Sequence, residues 1–289
     1  TGPIAAAFFG APSERLDVLA VTGTNGKTTV TALAGQLVER SGRTVAVAGN
    51  IGPTLLDTLV QKRAAGALPQ VWVLELSSFQ LDGVTGFEPT AATVLNISQD
   101  HLDWHGTMAA YAGAKARIFG EHSLMVLNRE DPLVMKMLPE AVRLKGGKYE
   151  QRAHVTFGGD LPKRPGDFGL EVVHGMAWLV RAHEADETER RRKDAEQELH
   201  IQRLMPADAL RIRGRHNAIN ALSALALATA AGCPLAPMLH ALRDFLIERV
   251  RRGAVADGTA RDGRGGRGRR HVGAMSGGDR PRGRGCAAG

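Results

Sequence analysis

A chain of 289 residues can hold one large domain or two ordinary ones. Its two cysteines, Cys233 and Cys286, have neither pairing nor metal-ligand spacing, which argues against a disulfide framework or a zinc site. Residues 246–289 hold 11 Arg, no Lys and 4 acidic residues, so they carry the whole net charge of +7; the rest of the chain balances and bears no mark of a nucleic-acid binder.

No apolar run approaches the length of a membrane span, and no signal-peptide pattern opens the chain. A cytoplasmic, monomeric protein is therefore expected. The chain starts on Thr1 rather than Met, as a fragment or a processed chain would.

Residues 1–17 form a loosely patterned lead-in. Residues 18–21 are an apolar run that reads as a buried strand, and residues 28–40 place Val30, Leu33, Ala34, Leu37 and Val38 at helical spacing. Between them lies Gly23-Thr24-Asn25-Gly26-Lys27-Thr28-Thr29. A strand, a glycine loop ending in Gly-Lys-Thr and a helix make a phosphate-binding loop, in which backbone N–H groups and the helix dipole meet the anion. In that arrangement Lys27 reaches the terminal phosphates and the Thr28 hydroxyl holds a magnesium ion. The loop is atypical. The pattern G-x-x-x-x-G-K-[ST] wants its first glycine at position 21, where Val21 stands, and the glycine sits at Gly23 instead.

Residues 44–48 read as a second strand ending at Gly49-Asn50-Ile51-Gly52, and residues 54–65 as a helix. Residues 71–74 form a third strand ending at Glu75, residues 91–97 a fourth, residues 108–119 a helix and residues 124–127 a fifth strand. Near-continuous apolar strands alternating with helices predict an α/β fold, a mostly parallel sheet with helices on both faces. Ligands of such sheets bind at the carboxyl ends of the strands, where Gly23 to Thr28, Asn50, Glu75 to Gln80 and Asn96 to His105 all fall.

Beyond Val155 the pattern changes. Residues 171–180 read as two short strands around a His-Gly turn, residues 184–198 as a solvated mixed-charge run, and residues 199–204 as a return to the sheet. Residues 215–231 form an Ala- and Leu-rich helix stopped by Gly232, and residues 235–245 another. Residues 1–245 are thus expected to be the folded unit. Residues 246–289 hold 12 glycines and no periodicity, which reads as a disordered tail. Its composition matches out-of-frame reading of GC-rich coding sequence; a natural tail, or an Arg-Gly segment that binds RNA, are the other readings.

Glu75, at the end of an apolar strand beside a phosphate loop, is placed as a magnesium-binding carboxylate is. His101 lies in a loop that packs Asp100, His101, Asp103 and His105 together, where it could ligate a second magnesium or contact the substrate. On spacing alone Lys115 reads as an exposed helix lysine.

These segments, with Asp100-His101-Leu102-Asp103-Trp104-His105-Gly106, Tyr111 and Lys115, and Gly214-Arg215-His216-Asn217-Ala218-Ile219-Asn220-Ala221, stand in the order of the Mur ligase family, which the chain resembles over about residues 15–245. Within it, Gly49 to Gly52 and Glu75 to Gln80 favour the member that adds D-glutamate to UDP-N-acetylmuramoyl-L-alanine.

The resemblance implies a central ATP-binding domain and a two-step reaction using ATP and Mg2+. The substrate carboxylate takes the γ-phosphate to give an acyl phosphate, and the D-glutamate amine displaces phosphate. Lys27, His101 and Lys115 are the implied catalytic residues. Thr28, Glu75, His101 and a carbamylated Lys115 would hold metal. Asn50, Ser77, Ser78 and Gln80 would face the muramoyl substrate or reacting phosphate, and Asn217 and Asn220 the adenine side of the nucleotide.

Family members carry flanking domains on both sides of this one, so the chain as given is expected to bind ATP without completing ligation. The alternatives are another Mur-type or folylpolyglutamate-type amide ligase, or a nucleotide- or RNA-binding module acting through the tail.

Overall fold

The computed structural model describes residues 16–50, 52–145, 147–184 and 199–246. The expectations for the lead-in up to residue 15, for residues 185–198 and for the tail beyond Leu246 lie outside the described residues.

The elements run β1 (Asp17–Thr22), α1 (Lys27–Arg40), β2 (Val45–Gly49), α2 (Leu55–Ala64), β3 (Val71–Glu75), α3 (Ser78–Asp82), β4 (Ala91–Val94), α4 (Leu102–His105), α5 (Met108–Ala116), β5 (Leu124–Asn128), α6 (Pro132–Met135), β6 (Val142–Arg143), β7 (Tyr149–Glu150), β8 (His154–Phe157), β9 (Phe168–Val173), β10 (Met176–Glu184), β11 (Leu199–Pro206), α7 (Arg215–Ala230) and α8 (Leu235–Asp244). Nine strands form one sheet in the order β11-β10-β9-β8-β5-β4-β1-β3-β2, and β6 with β7 makes a separate ribbon.

From β2 to β8 every neighbouring pair is parallel, which requires a crossover between strands and explains the alternation with helices. β9 joins β8 in parallel through Phe168 opposite Phe157, and β10 and β11 then fold back antiparallel. The expected hairpin around His174-Gly175 is therefore not a separate unit but the outer part of the same sheet.

Alternation along the central strand decides the layers. Leu19 and Val21 point into one core with Leu33 and Leu37 of α1, Leu222 and Leu225 of α7, and Met238 and Leu242 of α8. Ala20 points the other way, toward Tyr111, Ile118 and Phe119. Val18 shares that opposite face with Leu59 of α2 and Trp72. Helices on both faces are what a parallel sheet without a wet side needs.

Two expected elements differ in extent. β4 stops at Val94 rather than residue 97, because Asn96 turns its amide toward the loop after β1. α5 ends at Ala116, and its last turn tightens to a 3₁₀ turn over Arg117–Phe119.

α7 is apolar almost all round, with ten buried residues. It rests on α1 and on the sheet, so Leu222→Ala should open a cavity costing about 3 kcal/mol. Urea unfolding checks this: the midpoint should fall with an unchanged slope.

Candidate functional site

β1 delivers the chain to the carboxyl edge of the sheet, and residues 23–26 turn it into α1. Gly26 is the N-cap residue of α1, in the left-handed region at φ 86°. A Cβ there would lie 2.9 Å from the Asn220 Oδ1, so α7 closes over the loop at the one residue that can lack a side chain. No side chain caps α1 and no acidic residue sits in its first turn. The first N–H groups of a helix have no intrahelical partner, so those of Lys27, Thr28 and Thr29 remain for an anion, with the dipole behind them. Val21, at the place of the missing first glycine, is fully buried inside the β1 ladder opposite Glu75 and Thr93.

The loop is satisfied from outside. The Thr24 N–H donates to the Asn96 carbonyl at 3.0 Å and to its Oδ1 at 3.1 Å. The Asn25 N–H donates to the same Oδ1 at 2.8 Å, and Asn96 Nδ2 donates to the Asn25 carbonyl at 3.0 Å. The Thr24 hydroxyl donates to the Ser98 carbonyl at 3.2 Å, accepts from the Ser98 N–H at 3.0 Å, and lies 3.2 Å from the Tyr111 hydroxyl. Asn96 and Tyr111 carry no role in the sequence reading beyond marking a motif. The signal for Asn96 was its place just past a strand at the ligand edge.

Two ammonium groups converge beneath the loop. Lys27 Nζ donates to the Gly23 and Thr24 carbonyls at 3.1 and 3.0 Å. Lys115 Nζ donates to the same Gly23 carbonyl at 2.9 Å and to Thr22 Oγ1 at 3.2 Å. Lys115 is only 2% exposed, which corrects the exposed reading given by spacing alone: it shares the inward face of α5 with Tyr111 and Ala114, and its ammonium lies 4.8 Å over the Tyr111 ring. Burial, and then the charge of Lys27, push the Lys115 pKa down to about 7 against the opposing pull of Asp100. Burial likewise raises the Tyr111 phenol, partly offset by the Thr24 hydroxyl.

Glu75 is 3% exposed at the end of β3. Asn50 meets it twice: its Nδ2 donates to Glu75 Oε1 at 3.2 Å and its N–H to the Glu75 carbonyl at 2.8 Å. This close approach leaves no room at Gly49, where a Cβ would collide with the Glu75 carbonyl oxygen.

Ser77 and Gln80 form a capping box on α3. The Ser77 N–H donates to Gln80 Oε1 at 2.9 Å, and the Gln80 N–H to Ser77 Oγ at 3.3 Å. Ser78 is buried. His101 stands at φ 51° with its Nε2 3.4 Å from Asp100 Oδ2 and its ring 4.7 Å from that of Phe79. Phe79 and Trp104 are both well exposed beside it, with their rings edge to face at 5.5 Å. On α7, Asn217 Nδ2 donates to the Arg213 carbonyl at 2.7 Å and Asn220 Nδ2 to Asn217 Oδ1 at 3.4 Å.

The loop, Lys27, Lys115 and Asn220 thus come together directly, and Asn50 joins Glu75. Among the described residues no three His, Cys, Asp or Glu side chains gather as a metal cage. Magnesium is ordinarily held by one or two carboxylates together with phosphate oxygens and water, and the hydroxyl of Thr28 and the buried carboxylate of Glu75 are donors of that kind.

A family model described as the Mur ligase middle domain matches residues 21–228. The chain belongs to the Mur ligase family. UDP-N-acetylmuramoylalanine–D-glutamate ligase of Albidiferax ferrireducens is 75% identical over 228 residues, covering 79% of this chain and 45% of that protein. The like-named protein of a Polaromonas species is 69% identical, covering 79% of this chain and 39% of its own length. Among solved structures, a UDP-N-acetylmuramoyl-L-alanyl-D-glutamate–2,6-diaminopimelate ligase matches with a TM-score of 0.57 at 26% identity, covering 80% of this chain and 46% of that one. This chain therefore spans less than half the length of these Mur ligases.

The depressed Lys115 pKa has a consequence for stability. Unfolded, the amine would titrate near 10.5; folded, it titrates near 7, so folding releases a proton between these values. The penalty is complete below pH 7 and fades as pH rises toward 10.5. Unfolding free energies of the unmodified chain and of Lys115→Met, compared from pH 6 to 10, should show the unmodified chain gaining on the variant as pH rises. A pH-independent difference would contradict the assignment.

Proposed function

We propose that this chain is the ATP-binding part of a ligase that joins D-glutamate to UDP-N-acetylmuramoyl-L-alanine through an acyl phosphate, in peptidoglycan synthesis. The observation that carries the reading is the uncapped, acid-free N-terminus of α1 behind left-handed Gly26, with Lys27 in the loop. The names of its highly identical relatives supply the amino acid and the acceptor. A cytoplasmic site of action follows from those substrates, and no described helix is long and apolar enough to cross a membrane.

In this reading the N–H groups at the start of α1 hold the phosphates of ATP, and Lys27 leaves the Gly23 and Thr24 carbonyls to follow the γ-phosphate. The acceptor carboxylate attacks the γ-phosphorus and the bond to the β-phosphate bridging oxygen breaks. The amine of D-glutamate then attacks the acyl carbon, loses a proton and expels inorganic phosphate. Phosphoryl transfer of this kind depends mainly on positioning and on cations that neutralise spread charge. Magnesium bound there would supply that neutralisation, with Thr28, Glu75 and His101 as its protein donors.

Lys115 fits the same scheme. An amine that titrates near 7 is largely unprotonated just above neutrality, and a neutral amine adds carbon dioxide to form a carbamate with loss of a proton. The carbamate would turn a buried, largely neutral amine beside Lys27 into an anion that balances that lysine and offers metal an oxygen. Asn217 and Asn220 are assigned to the adenine side. Asn50, Ser77, Ser78 and Gln80 are assigned to the acceptor side; Asn50 acts there through its hold on Glu75, and Ser77 with Gln80 through the shape of α3.

Calorimetry of the chain with ATP and Mg2+ tests the phosphate site. The unmodified chain should bind, and Lys27→Ala should bind at least about tenfold more weakly, the scale of one lost charge-assisted contact. Equal affinity in the two would refute the role given to Lys27. For the carbamate, labelled bicarbonate should give a carbamate carbon signal in the unmodified chain and none in Lys115→Met.

A further inference from the structure

We propose that Asn96 is the positioning residue of the phosphate loop, holding from the neighbouring strand a turn that the loop's own sequence does not close. The proposal rests on the phosphate-site reading of residues 23–29. With Val21 locked in the β1 ladder, the turn begins only at Gly23, and the peptide groups of Thr24 and Asn25 must find partners elsewhere.

Asn96 supplies them in a form that no other common side chain except the longer Gln can copy. Its amide presents an acceptor and a donor side by side, and Asn25 presents a donor and an acceptor in return. Oδ1 takes the Asn25 N–H at 2.8 Å while Nδ2 gives to the Asn25 carbonyl at 3.0 Å, so the side chain pairs with the loop as a neighbouring strand would. The same Oδ1 and the Asn96 carbonyl together receive the Thr24 N–H. Thr24 is tied a second time, to Ser98, two residues further on.

Asn96 is itself pinned on both sides. The Leu95 carbonyl before it accepts Asn128 Nδ2 at 2.8 Å, and the Ile97 N–H after it donates to Asp131 Oδ2 at 2.7 Å. Asn128 ends β5 and Asp131 caps α6, so the clamp is referred to the rigid sheet rather than to another loop. With Asn25 fixed by Asn96 and Gly26 covered by Asn220, the first N–H groups of α1 are aimed before any ligand arrives. Such preorganisation reduces the ordering cost that binding would otherwise meet.

The chain and its Asn96→Ala and Asn96→Asp variants test this, with Lys27→Ala as the control for the phosphate site. Without nucleotide, amide exchange followed by NMR should show Thr24 and Asn25 protected in the unmodified chain. Asn25 should exchange rapidly in Asn96→Ala, while Thr24, which keeps its bond to the carbonyl of residue 96, loses less and Leu19, Ala20 and Val21 keep their protection. With Mg2+, Asn96→Ala should bind ATP about tenfold more weakly, with a smaller loss for AMP. Asn96→Asp, which keeps the acceptor but sets a carboxylate against the Asn25 carbonyl and the phosphates, should lose at least as much and serves if the alanine variant does not fold.

Unchanged exchange at Asn25 would overturn the proposal. So would equal losses for ATP and AMP, the pattern of a residue that merely supports the fold. Failure of the unmodified chain to bind ATP would instead count against the phosphate-site reading, and the exchange data alone would then decide whether Asn96 holds the loop.

Discussion

A helix start kept open for a ligand cannot be closed by its own residues, and the architecture of this domain answers that constraint. The turn between β1 and α1 is held by contacts from four other parts of the chain. The loop after β4 pairs with Thr24 and Asn25, α5 brings Lys115 to the Gly23 carbonyl, α7 lays Asn220 against Gly26, and the Thr22 hydroxyl donates to the Leu76 carbonyl past β3. Central placement of β1, flanked by β3 and β4, is what makes this possible. An edge strand would have offered partners on one side only.

The electrostatics follow from the same crowding. Two lysines share one carbonyl, and for Lys115 burial first and the Lys27 charge second disfavour the protonated form. Lys27 keeps access to solvent and to a ligand. Lys115, enclosed by α5 and the Tyr111 ring, has its proton loosened. Burial thus gives two chemically identical side chains different surroundings.

Much of this was legible in the residues. The strands of the parallel part announce themselves as unbroken apolar runs because both faces of the sheet are covered, and Gly-Lys-Thr at a strand-to-helix junction marks the ligand edge. What one sequence hides is whatever depends on a distant partner. Lys115 looks solvent-facing because nothing in its own helix shows that Thr22 and Gly23 lie above it. Asn96 reads as one polar residue among several, since its bonds go to the loop after β1. Ser77 and Gln80 stand at capping-box spacing, and the box they close shapes the start of α3. The short β8 is too brief to carry a period, whereas β11 falls where residues 199–204 are expected to rejoin the sheet.

The seating of Asn220 on Gly26 also bears on how the domain is made. Almost all the described elements lie between the loop and α7 in the sequence, so they must be synthesised before the roof over Gly26 exists. Until then β1, α1 and their early neighbours can assemble only a half-built edge, with the large apolar surface that α7 covers still bare. Nascent chains in that condition are the ones prone to stick to one another and to need chaperones. In this protein the roof over Gly26 and the shielding of the core therefore arrive together, only once α7 has been made.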